Sequence, residues 1–270
     1  MNEKTELLES IKSTEKIRSK SEEDLRGSYS GFNGLCEGKG PPRQEVSAGV
    51  YKGEVTLIVS ATNLGKSTLL LNTILAILAG KPFPPLVTEG IKPAKILLLD
   101  CESTLDGLRR DIAIMREPVR DKSKIDSKKN PVWLKLWVDA YVCDEPLSLD
   151  KPNYFNRLER TVRDQHIELV IIDTLSSAFN TKDENDNASV ARTIMKPLAR
   201  LAKENNCAVI IAHHTGKQNE GGSGGTPAYL GRGASNLGAL SRTVMVLEPD
   251  KNKRGRLRSP KMRQDKGKGF

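Results

Sequence analysis

The chain is poor in the residue types that most often announce a metal, redox or haem site. Its 270 residues contain only three histidines, four cysteines and two tryptophans. Cys36, Cys101, Cys143 and Cys207 lie far apart with no C-x-x-C spacing, so neither a zinc ribbon nor a disulfide framework is expected. Cys101 and Cys207 adjoin apolar runs and read as buried, reduced thiols. No apolar run approaches the length of a membrane span. Residues 1–30 are rich in lysine and glutamate without the apolar centre of a secretion signal, so a cytoplasmic protein is expected. No internal repeat is found. What remains, 37% hydrophobic and 29% charged residues, is enough for one sizeable core.

The clearest signal is Val55–Leu71, VTLIVSATNLGKSTLLL. A run of aliphatic and β-branched residues enters a Gly-Lys-Ser-Thr turn and leaves as an apolar helix, which is the pattern of a phosphate-binding loop. A helix that begins at such a turn presents free N–H groups and the positive end of its dipole to an anion. Ala61, Thr62, Asn63, Leu64, Gly65, Lys66, Ser67 and Thr68 are the expected nucleotide contacts, with Lys66 adding a full charge and Ser67 placed to ligate Mg²⁺. A nucleotide and Mg²⁺ are therefore the expected ligands. The usual loop has glycine six residues before the lysine, and here that position is Ser60.

Around the loop, apolar strands alternate with helices. Strands are expected at Val55–Val59, Ile96–Leu99, Leu134–Val138, Leu169–Ile172 and Val209–Ala212, and helices at Lys66–Ala79, Thr104–Arg116, Tyr154–Gln165 and Ala188–Asn205, the last kinked at Pro197. Ser176–Asn187 reads as a polar loop. Continuous apolar strands alternating with helices predict an α/β fold with a mostly parallel sheet covered on both faces. Three segments follow: an arm over residues 1–45, with a short amphipathic helix around Leu7, Leu8, Ile11 and Ile17; a core over 46–250; and a basic segment over 251–270. That last segment holds nine basic residues against Asp265, eight of the net charge of +9. Its RLRSPKMRQ stretch alternates loosely enough to be an edge strand.

The polar residues gather at the carboxyl ends of the strands, where ligands bind in open α/β sheets. Lys66, Glu102, Asp173 and His214 could share one site. Asp173 follows LVII and has the position of an acidic residue that holds nucleotide-bound Mg²⁺; the competing reading is a strand-end helix cap. Glu102 is the candidate to polarise an attacking water, and Asp100 is its rival. His213 and His214 either satisfy backbone groups or sense a γ-phosphate. The glycine-rich tract Lys217–Gly233 is either a surface loop or a loop in which Lys217, Tyr229 and Arg232 meet the phosphates and bases of a nucleic-acid strand.

Taken together, SATNLGKST, LLLDCEST, VIIDTLSSAF, LAKENNCAVIIAHHTGK and GRGASNLGALSRTVMVLE resemble the RecA-like ATPases, and within them the plasmid RepA and DnaB type of hexameric replicative helicase. The resemblance spans residues 49–270. It implies a RecA-like core with Glu102 as the catalytic carboxylate, Asp173 as the Mg²⁺ aspartate and His214 as a sensor. It also implies that a neighbouring subunit completes each site: Arg242 in LSRTVMV matches an arginine finger, and Lys261-Met262-Arg263 resembles a lysine-x-arginine tip. Single-stranded DNA and a homo-oligomer, a hexamer by preference, are the implied partners. Two alternatives stand beside a ring helicase: a filament-forming recombination or repair ATPase of the same fold, and an ATP-switched regulatory protein that moves no strand.

Overall fold

The computed structural model describes residues 43–115, 134–138, 141–142, 145–179, 187–214, 234–249 and 255–262. It divides the chain between Arg43 and Gln44, and the unit from Gln44 onward carries the sheet. The helix expected around Leu7–Ile17 lies outside the described residues.

Two short antiparallel strands, β1 (Glu45–Ser47) and β2 (Val50–Tyr51), open this unit. The main strands are β3 (Val55–Ser60), β4 (Ile96–Asp100), β5 (Leu134–Val138), β8 (Leu169–Asp173), β9 (Ala208–His214), β10 (Thr243–Pro249) and β11 (Gly255–Met262). Tyr141–Val142 and Glu145–Pro146 form a separate small ladder, β6 and β7. The main sheet has the order β11-β10-β3-β9-β8-β4-β5. Every neighbouring pair in it is parallel except β10 with β11. The expected α/β architecture is thus observed. β3, β4 and β8 are buried at every position, as a sheet covered on both faces requires.

Strand alternation sorts the core into two layers. Ile58, Leu98, Ile171, Ile210 and Ala212 face the helix α1 (Lys66–Ala79), packing against Leu70, Ile74 and Ile77. Leu57, Leu97, Val170, Ile172, Val209 and Ile211 face the other way. They meet α3 (Pro152–Asp164) through Phe155, Leu158 and Val162, and α6 (Lys196–Glu204) through Leu198, Leu201 and Ala202. Helix α2 (Leu105–Met115) buries only Leu108 fully.

Three local expectations need correction. The tract after Asp173 is not loop throughout, because Leu175–Ala178 forms a short helix, α4. Its Leu175 and Ala178 are buried in the core, and that burial holds the turn. The helix expected over 188–205 is three pieces: α5 (Asn187–Val190), a π-helical turn (Ala191–Met195) and α6. Pro197 sits in the first turn of α6, where its missing N–H costs nothing, and the widened turn just before it replaces a simple kink. Finally, the strands run further than their apolar residues: β4 takes in Asp100, β8 takes in Asp173, and β9 includes both His213 and His214. Pairing with neighbours carries these polar residues into the ladder.

Candidate functional site

The site grows from the carboxyl end of β3. Ser60, its last residue, is buried, and its backbone lies outside the left-handed region. Glycine is therefore not required there, which accounts for the serine. Its hydroxyl donates to Ala61 O at 2.9 Å. The loop's tight turns come later, at Asn63 (φ 62°) and at Gly65 (φ 83°), the residue that starts α1. A side chain on Gly65 would meet no atom within 4 Å. Conformation rather than space demands glycine there. Among the described residues no side chain caps α1, and no acidic residue stands in its first turn. The leading N–H groups remain available to an anion.

Alternation then decides which strand-end side chains share the α1 face. Ser60, Asp100, Asp173 and His214 all continue the register of Ile58, Leu98, Ile171 and Ala212, so they stand beside the loop. His213 belongs to the opposite layer. Its Nδ1 is buried without a hydrogen-bond partner among the described residues, and burial pushes its pKa down to about 4, so it is neutral near pH 7. The two histidines read as a pair in the sequence, but the period of the strand separates their surroundings.

Lys66 is buried, and its ammonium lies 3.0 Å from His214 Nδ1 and 3.3 Å from Nε2. A lysine ammonium only donates, so a His214 ring nitrogen is the acceptor of this contact, and the tautomer decides which. His214 Nε2 lies 3.6 Å from Glu102 Oε1. Burial pulls the Lys66 pKa down, while the charges of Asp173 and Glu102 oppose that shift. Asp173 is also buried, and burial pushes its pKa up against the opposing hydrogen bond from Ser67 and the charge of Lys66. Ser67 satisfies one side of this carboxylate, but Oδ1 has no partner among the described residues. A buried, unpaired carboxylate oxygen beside a loop serine fits Mg²⁺ held by Asp173 and Ser67 together with phosphate oxygens. Among the described residues no cluster of three histidine, cysteine or carboxylate side chains could hold a metal without such a substrate.

Asp100 and Glu102 now separate. Asp100 is buried and its Oδ1 accepts from the N–H groups of Glu102 (3.1 Å) and Ser103 (2.8 Å), folding the turn that presents Glu102. Glu102 is exposed, and its Oε1 accepts from Thr174 Oγ1 at 2.5 Å and from Ser177 Oγ at 3.2 Å. These two hydroxyls did not stand out in the sequence, although the dense Thr-Leu-Ser-Ser run directly after Asp173 carried the signal. Cys101, between the two carboxylates, packs toward the core, and burial with the neighbouring carboxylates pushes its thiol up to about 12. Cys207 is buried and pushed up to about 11. Both are free, protonated thiols at neutral pH.

A family model described as an AAA domain matches residues 28–220, which contain the loop, both carboxylates and His214. The chain belongs to the AAA domain family. No curated protein matches this AAA domain. Among solved structures it is similar to a KaiC-like protein of the hyperthermophilic archaeon Pyrococcus horikoshii, with a TM-score of 0.52 and 19% identity over 83% of this chain and 90% of that one. That likeness is one of fold, and it agrees with the RecA-like core expected from the motifs. This AAA domain is a P-loop ATPase with a RecA-like fold. No helix among the described residues is long and apolar enough to cross a membrane.

The remaining site residues stand elsewhere. Arg242 is exposed, and its N–H bonds Val55 O, at the amino end of β3. At ~3.3 Å per residue it lies about 17 Å along the sheet from Ser60. Lys261 on β11 pairs with Val244 on β10, so its backbone is at that same far end. Arg263 and the candidate strand contacts Lys217, Tyr229 and Arg232 lie outside the described residues.

Proposed function

We propose that the chain hydrolyses ATP between subunits of a ring and uses that cycle to move along single-stranded DNA, in the manner of the RepA and DnaB type of replicative helicase. The observation that carries the catalytic half is the continuous contact from Lys66 through His214 to Glu102, with Asp173 and Ser67 alongside. In this reading the loop N–H groups and Lys66 hold the β- and γ-phosphates. Ser67 and Asp173 would hold Mg²⁺, which would supply charge neutralisation on those phosphates. Glu102 orients the attacking water and takes its proton as the water oxygen bonds to the γ-phosphorus and ADP leaves. His214, touching both Lys66 and Glu102, responds when the γ-phosphate is lost.

The ring half rests on position. Arg242 is exposed and too far from its own loop to serve it, so a phosphate contact by Arg242 must reach a neighbour's nucleotide. Lys261 and Arg263 have the same role in this reading. Lys217, Tyr229 and Arg232 would contact the strand.

The deciding experiment measures ATP hydrolysis with and without single-stranded DNA, together with particle mass in ATP. The proposal expects DNA-stimulated turnover by a hexamer and unwinding of a forked duplex. Turnover indifferent to DNA would replace it with the ATP-switched regulator, and filaments that exchange strands with the recombination ATPase.

A further inference from the structure

We propose that Thr174, assisted by Ser177, is a positioning residue that holds the Glu102 carboxylate in its working orientation. The inference rests on Glu102 being the group that orients water. Glu102 is an exposed side chain on a turn beyond the end of β4, and among the described residues the hydrogen bonds to its carboxylate come from Thr174 and Ser177. Thr174 supplies its hydrogen bond from the next strand, since β4 and β8 are paired in register with Asp100 opposite Asp173.

Proton counting makes the arrangement directional. Each hydroxyl has one proton to donate. An ionised carboxylate only accepts, so Thr174 and Ser177 both spend their protons on Glu102 Oε1, at 2.5 and 3.2 Å. Thr174 Oγ1 is then left as an acceptor, and Ser176 Oγ at 3.3 Å is the donor that fits it. The Ser177 oxygen, also 3.3 Å from Thr174 Oγ1, has already given its proton to Glu102. The result is a relay of orientation, from Ser176 to Thr174 to Glu102, with Ser177 as a second hand on the same oxygen. Among the described residues Glu102 Oε2 makes no hydrogen bond, which leaves one oxygen of the carboxylate for water while the other is held.

The support behind Thr174 is rigid. Its side of the chain is fixed by the buried Leu175 and Ala178 of α4, by the Ala178 N–H bond to Thr174 O at 3.0 Å, and by the Cys101 N–H bond to Asp173 O at 2.8 Å. That last bond ties the turn bearing Glu102 to the end of the strand bearing Thr174. A displacement of about 1 Å in such a group is enough to cost ~10² in rate.

The test compares Thr174→Val, Thr174→Ser, Glu102→Gln and the double variant Thr174→Val with Glu102→Gln, in the full chain. Thr174→Val keeps the shape and removes the donor. It is expected to lower kcat by about 10- to 100-fold while leaving KM and the Kd for a non-hydrolysable ATP analogue within about threefold. Thr174→Ser, which restores the hydroxyl, is expected to recover turnover to within about threefold of the parent. Because Thr174 acts through Glu102, the double variant should be no slower than Glu102→Gln alone. An inactive Glu102→Gln beside a fully active Thr174→Val overturns the positioning role and leaves the catalytic reading standing. An active Glu102→Gln overturns that reading itself. Equal losses in Thr174→Val and Thr174→Ser, or a loss of analogue binding in Thr174→Val, would assign Thr174 to the structure of the strand end and overturn the proposal.

Discussion

Asp173 and Lys66 are each buried in a place that disfavours their charged forms, and a nucleotide site has reason to keep them so. An acid whose folded pKa lies above its unfolded value, ~3.9 for aspartate, binds its proton more tightly in the folded state. Its ionisation therefore costs stability as pH rises through the raised value, and the cost is absent at pH below ~3.9. Asp173→Asn should accordingly raise the Tm of the nucleotide-free protein at neutral pH by about 2–4 °C, the effect of ~1 kcal/mol in a domain of this size. The gap should close as the pH is lowered, while hydrolysis is lost. Thermal scans of both proteins at pH 4 and pH 7 check this, and an unchanged or lower Tm at pH 7 would contradict it. Lys66→Ala should reduce turnover by at least about 10²- to 10³-fold, since it removes the loop's own cation, which the proposed function places at the phosphates. Residue types at the strand ends could be read from the sequence because polar residues after apolar runs are conspicuous. Their division was harder to read: His213 and His214 are neighbours in the chain but face opposite layers, and Thr174 and Ser177 matter only through a fold that brings Glu102 to them.

At the level of elements, the loop depends on one conformational exception and the sheet on one cross-chain tie. Gly65→Ala meets no obstructing atom, so its cost is the left-handed backbone alone, about 1–2 kcal/mol for a residue with a side chain. Urea unfolding should register that loss, and nucleotide affinity should fall with it because Gly65 starts α1 at the anion site. The tie is Glu168, just before β8. It accepts from Lys52 Nζ at 2.7 Å and from the Lys95 N–H at 3.1 Å, joining the turn before β3 to the segment before β4. Burial alone would raise the Glu168 pKa, but these two bonds and the charges of Lys52 and Lys95 more than offset it, and the net shift is downward. Its stabilising effect is therefore present above the unfolded value of ~4.3 and lost as pH falls through the folded one. Glu168→Gln should cost about 1 kcal/mol at pH 7 and progressively less toward pH 3, a difference that urea unfolding at the two pH values measures. The strands and α1 were legible because buried parallel strands are continuous apolar runs and α1 begins at a diagnostic turn. The π-helical turn and α4 were not. Both are decided by how Ile194, Met195, Leu175 and Ala178 fit the core, and local pattern does not contain that information.

For the whole molecule the decisive feature is that its arginine and its phosphate loop lie at opposite ends of the sheet. Arg242 precedes β10, Lys261 returns to the same end on β11, and the loop follows β3 at the other. A single subunit cannot bring these ends together without dismantling the parallel pairing of β3 with β10. If a ring completes each site from its neighbour, two inactive variants must repair one another. Lys66→Ala lacks a working loop but retains Arg242, while Arg242→Ala retains the loop and binds ATP but should hydrolyse about 10³- to 10⁵-fold more slowly. In a ring with head-to-tail interfaces mixed equally from the two, about one interface in four joins an intact loop to an intact arginine. Hydrolysis should then recover to about a quarter of the parental rate once subunits have exchanged, from a mixture whose components are each inactive. The measurement is ATP turnover against mixing ratio, with a maximum expected near equal proportions. A flat response in mixtures shown to co-assemble would mean that Arg242 reaches no neighbouring nucleotide, and full activity of Arg242→Ala alone would remove it from hydrolysis altogether.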